Sequence, residues 1–126
     1  MRKTAAAIAF ALTMAGFSAS EGFAQSREDR ARAAALAWAQ CVRTNAARWE
    51  RGPEPAQVIS KAAFGRCLSE EGDFRETYRI ATKGWVLGDA HSPESIDRSV
   101  AQVREAIDQS TLAAILDARA DAQVDR

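Results

Sequence analysis

The chain has 126 residues, with 17 basic and 17 acidic side chains, one histidine, two cysteines and three tryptophans, and 47% of it is hydrophobic. That length admits one domain and excludes large multi-domain architectures, while the apolar fraction excludes wholesale disorder. Zero formal net charge argues against a nucleic-acid-binding module, which carries a basic excess.

Arg2 and Lys3 place positive charge at the start, and residues 4–19 then carry none. The run AAAIAFALTMAGF precedes a return of polarity at Ser20 and Glu21, the three-part layout of a secretory signal. Gly22 and Ala24 are small residues suited to a cut between Ala24 and Gln25, and Ser18 with Ser20 form a second candidate. An uncleaved anchor needs about 20 apolar residues, more than this alanine-rich run supplies, and no other stretch approaches that length. No stable membrane span is therefore expected after signal removal. No cysteine lies near the cut, which excludes a lipid-modified terminus. Cleavage removes 24 of 126 residues, taking Arg2, Lys3 and Glu21 with it, so the 17 basic and 17 acidic residues become 15 and 16. The expectation is an exported, soluble protein of the periplasm or the extracellular space.

The remainder, residues 25–126, reads as a single all-α domain, a small bundle of three to four helices. Ser26 can cap a first helix, with Glu28 and Asp29 at its positive end. Alanine and arginine carry it over about 26–51, to a stop at Gly52-Pro53, where a left-handed glycine ends the helix and proline cannot continue it. Pro55 suits the first position of a second helix over 55–71. Gly72, then Asp73 with Glu76 as a capping box, mark a break before a third helix over 74–83; the alternative is one kinked helix over 55–83. Ser92-Pro93-Glu94 starts a fourth. Ile96, Val100, Val103 and Ile107 repeat at helical spacing, and Leu112, Ile115 and Leu116 continue after a phase shift near Ser110-Thr111. The pattern predicts a helix over 93–117 and a frayed polar C-terminus.

Two cysteines in an exported chain are expected to form a disulfide. If residues 52–55 turn an antiparallel hairpin, Cys41 falls opposite Cys67, as do Asn45 and Ala63, Trp49 and Ile59, and Ala34 and Phe74. Packed helices bring facing Cα atoms to within roughly 3–5 Å, so a bridge wanting about 4.4–6.8 Å needs only ordinary packing. A redox pair of the C-x-x-C kind and a zinc site, which needs four ligands, are both unsupported at this spacing with one histidine.

Chemistry is sparse elsewhere, and no cofactor or metal is expected. His91 sits in a polar loop beside Asp89 and near Glu94, with no second histidine to complete a site, and is read as solvated. Glu70, Glu71 and Asp73 cluster at an expected helix C-terminus, where acids oppose the dipole, and are read as a solvated turn. No G-x-S-x-G elbow or phosphate-binding glycine loop is present. Trp38 and Trp49 share a helical face with Cys41, Val42 and Asn45 and read as core. Trp85, Val86 and Leu87 are different: Gly84 and Gly88 flank them, and this short apolar loop is the candidate partner contact. The last helix mixes both charges on its polar face and is read as core packing rather than a membrane-surface helix.

These features imply a non-catalytic exported protein that binds an unidentified protein or a small apolar ligand, with no nucleic-acid partner. Two alternatives stay open: a periplasmic stress-responsive chaperone that exposes apolar surface on a pH change, and a small enzyme that gathers His91 with nearby acids. The intact mass of the exported protein is expected to correspond to a chain beginning at Gln25. A mass that retains Met1 to Ala24 would contradict the signal reading.

Overall fold

Alanine-rich sequence and the absence of proline between Glu21 and Gly52 favour a long first helix, and the computed structural model, which describes residues 21–83 and 92–126, has one there. Helix α1 spans Glu21–Ala47, α2 Ala56–Arg66, α3 Leu68–Thr82 and α4 Pro93–Val124, with no strand among the described residues. The fold is all-α. Helix α1 runs antiparallel to α2 and α3, the Cys41–Cys67 disulfide clamps them, and α4 packs against all three.

The hairpin has the register that the sequence implies. The Cys41 and Cys67 Cα atoms lie 6.0 Å apart, inside the range a disulfide requires. One turn earlier on α1, the Trp38 ring stacks on Phe74 and meets Phe64 edge-on, with 5.9 Å between centroids in both pairs. Trp38 is fully buried, as are Val42, Ala63 and Cys67. The inner face of α1 thus recurs as Ala31, Trp38, Val42 and Ala46, the helical period of a core-facing stripe. Asn45 donates its side-chain amide to the Cys41 carbonyl at 3.0 Å and lies 3.5–3.6 Å from both sulfurs.

Helix α1 begins at Glu21, so Ser26 lies within the helix instead of capping it, and three further boundaries differ from expectation, each for a tertiary reason. The first is the end of α1, which stops at Ala47 rather than Arg51. Residues 48–54 form tight turns, with Trp49 N–H donating to Ala46 and Gly52 N–H to Trp49. This lets Trp49 pack against the core with Arg66 over its ring. Gly52 is outside the left-handed region, and a side chain there would meet the Trp49 carbonyl at 3.1 Å. Close approach, not a glycine C-cap, is its role.

The second is the break in the second arm of the hairpin. It falls at Cys67, not at Gly72-Asp73. Cys67 has φ −116° and ψ 31°; its N–H donates to Phe64 and its carbonyl accepts from Glu71. The residue that interrupts the helix is the one covalently tied to α1. Gly72 has open space around it and lies within α3, and Glu76 pairs with Arg79 instead of capping Asp73. The third is the end of α4, which continues to Val124 instead of fraying after Asp117. Arg119 explains this: its guanidinium donates to the carbonyls of Glu50 at 2.8 Å, Gly52 at 3.1 Å and Glu54. One side chain satisfies three carbonyls of the α1–α2 turn, so α4 is held against that turn.

The start of α4 follows its sequence signals: Ser92 Oγ accepts the Ser95 N–H at 3.1 Å, and Pro93 opens the helix. Its buried line is Ile96, Val100, Ile107, Thr111 and Ile115. The helical period therefore passes straight through Thr111 with no phase shift, which leaves Leu112 half-buried and Leu116 exposed.

Replacing both Cys41 and Cys67 by alanine is expected to lower stability by about 3.5 kcal/mol, the chain-entropy value for a loop of about 27 residues. Denaturant unfolding of the oxidised wild type beside the double variant measures it. A difference under about 1 kcal/mol would mean that packing alone sets the hairpin.

Candidate functional site

The Cys67 break also positions a concavity between α2 and α4. On α2, Lys61, Phe64 and Gly65 fall on the side that faces α4, and the chain then turns at Cys67 and presents Leu68 beside them. Ala101 and Arg104 of α4 form the opposite wall. The groove has a volume of about 620 Å³. Phe64 is its buried floor and Leu68, 64% exposed, its rim. Gly65 has nothing within 4 Å of where a Cβ would be, so the groove is open there.

Its charges are largely engaged within the fold. The Arg104 guanidinium lies 4.9 Å from the Phe64 ring centroid and 6.0 Å from that of Trp38, and pairs with Glu71. Such cation–π placement covers the aromatic floor while the charge stays at the surface. Asp108 accepts a hydrogen bond from the fully buried Ser60 hydroxyl, and Glu105 accepts from Gln109. The walls at Phe64, Leu68 and Ala101 offer dispersion and apolar burial, with Lys61 beside them. This arrangement suits an apolar side chain or ligand segment.

A smaller notch of about 250 Å³ lies on the other side of α2, between Trp49, Val58, Ile59 and Ala62, with Arg66 5.0 Å above the Trp49 ring. Trp49, read from sequence as core, is half-buried and forms one wall of it.

Among the residues singled out from sequence, the structure joins Cys41 to Cys67 and buries Trp38. Trp85, Val86, Leu87 and His91 lie outside the described residues, as does the side chain of Ala24 at the expected cut. The acidic cluster changes meaning. Because α3 begins at Leu68, Glu70 and Glu71 occupy its first turn, where the helix dipole favours acids, and Glu71 holds Arg104. Glu70 lies within 4.8 Å of both cysteine sulfurs. Those sulfurs are spent in a covalent bond, so the trio offers only one carboxylate to a cation. On the exposed side of α3, Arg79 grips Glu76 at 2.6–2.8 Å and holds its carboxyl below the usual range through that hydrogen bond, while Glu76 raises Arg79.

The groove itself was not apparent from the sequence. Phe64 and Leu68 are spaced as neighbours on one helical face, but the break that sets Leu68 beside Gly65 and opposite α4 has no local signal. No protein-family model, curated protein or solved structure matches the chain.

Proposed function

We propose that this is an exported, non-catalytic helical protein that acts by binding an apolar surface, either of another protein or of a small ligand. The observation that carries the reading is the α2–α4 groove, a preformed trough with apolar walls at Phe64, Leu68 and Ala101, in which Arg104 is paired with Glu71 and Asp108 accepts from Ser60. A disulfide favours an oxidising compartment, and no helix among the described residues is long and apolar enough to cross a membrane. Both accord with export by the N-terminal signal. Cleavage after Ala24 would shorten α1 by its first four residues and leave its core-facing line from Ala31 onward.

Two contacts are proposed for the partner. One is Leu68 at the groove rim; the other is the Trp85-Val86-Leu87 segment that connects α3 to α4, through a tryptophan anchor of the kind that concentrates binding energy. Periplasmic or extracellular residence places the protein away from nucleotides and most intracellular cofactors, which is consistent with a binding rather than a catalytic role.

Titration of the exported protein with anilinonaphthalene sulfonate, an apolar fluorescent dye, tests this. Saturable binding at neutral pH is expected, weakened about tenfold or more by Leu68→Glu or Trp85→Ala, the loss of a single hot-spot contact, with unchanged helical content in both variants. Absence of dye binding, or binding that neither variant alters, would contradict the reading. Binding that appears only in acid would favour the stress-chaperone alternative instead.

A further inference from the structure

The two walls of the α2–α4 groove carry opposite charge. Helix α2 holds Lys61 and Arg66 and no acid. Of the two, only Lys61 lines the groove, because Arg66 lies over Trp49 on the other side of the helix. Lys61 is exposed and makes no ion pair among the described residues. The α4 wall presents Glu105 and Asp108. Their partners are neutral, Gln109 for Glu105 and the Ser60 hydroxyl for Asp108, so neither carboxylate is matched by a cation. Arg104, the cation of that wall, is spent on Glu71 and on the Phe64 ring.

Between the walls the surface both receives and protrudes. Phe64 floors the groove, Gly65 leaves it open, and Leu68 stands exposed at its rim. A ligand of one sign is drawn to one wall and repelled by the other. A wholly apolar chain leaves Lys61 and Glu105 unanswered. What answers both is a surface with an apolar centre, an acid on one side and a base on the other, and this face is itself such a surface. A two-fold axis normal to the groove lays α2 of one copy along α4 of the other, so that Lys61 meets Glu105 at both walls and the apolar centres face each other. The overall charge does not resist this: 17 basic residues balance 17 acidic ones, or 15 face 16 once the first 24 residues are removed.

We propose that the partner of this groove is a second copy of the chain, docked as a two-fold dimer through α2 and α4. The inference rests on the groove being a binding site and names its occupant. Leu68 of each copy is the apolar anchor, taken out of water against the other copy's groove. The two Lys61–Glu105 pairs at the rim fix the orientation, as rim charges do. Because the same patch is used on both copies, every contact occurs twice and every substitution acts twice.

The test is sedimentation velocity of the exported, oxidised protein over about 1–500 µM, the range in which small interfaces associate. A concentration-dependent monomer–dimer equilibrium is expected. Leu68→Glu should raise the dimer dissociation constant about a hundredfold, a loss of about tenfold at each of two symmetric anchors. Lys61→Glu and Glu105→Lys should each raise it about tenfold by setting like charges opposite one another. The combined variant Lys61→Glu/Glu105→Lys should return to within about threefold of wild type, the signature of two residues in direct contact. All three positions are exposed, so the circular dichroism of every variant should match the wild type. Anilinonaphthalene sulfonate should dissociate the dimer, since dye and second copy compete for one groove. A protein that stays monomeric up to about 500 µM would overturn the proposal; saturable dye binding by that monomer would leave the apolar site itself standing, and absence of dye binding would remove both. A dimer indifferent to Leu68→Glu, or a combined charge variant weaker than either single one, would overturn it as well.

Discussion

The burial of Trp38 organises most of what surrounds it. Its ring lies against Phe64 from α2 and Phe74 from α3, on either side of the break at Cys67, and the bridge to Cys41 closes one turn further along α1. A single straight helix would not direct both phenylalanines at one indole so readily. The interruption at Cys67 lets two helices approach the same residue from different directions. Arg104 of α4 then lies over both Trp38 and Phe64, which ties the fourth helix to the same aromatic centre. Burial of three aromatic rings is a large apolar contribution for a chain of this size, and the disulfide reduces the conformational entropy of the unfolded chain it must overcome.

The consequences reach the surface. With α3 starting at Leu68, Glu70 and Glu71 enter the first turn of a helix, where their charge is favourable, and Glu71 is placed to hold Arg104. The same displacement brings Leu68 to the rim of the groove. At the other end of the bundle, Arg119 takes three carbonyls of a turn that has lost its helical hydrogen bonds because Trp49 folds inward. Apolar packing selects the backbone path, and charged groups then satisfy what that path leaves unpaired.

Much of this architecture was legible in the sequence, for identifiable reasons. The hairpin register follows from one turn and two cysteines, and the start of α4 from serine, proline and glutamate in succession; these are local signals backed by covalent or capping chemistry. The ends of α1 and α4 and the break at Cys67 were not legible. Gly52 and Gly72 carry the composition of helix stops, yet the structure uses one for a close approach and leaves the other within α3. Trp49, Cys67 and Arg119 decide those boundaries through partners 17 to 69 residues away, and no window of local propensity contains such partners. The groove follows from the break, so it was hidden with it.

The dependence of the bundle on its aromatic centre is open to direct measurement. Guanidinium unfolding of Trp38→Ala, with the Cys41–Cys67 bond intact, should show a loss of about 3–5 kcal/mol relative to wild type, the cost of deleting a fully buried indole that contacts two helices at once. A loss below about 1 kcal/mol, typical of a surface substitution, would mean that the disulfide and the remaining core hold the bundle without it.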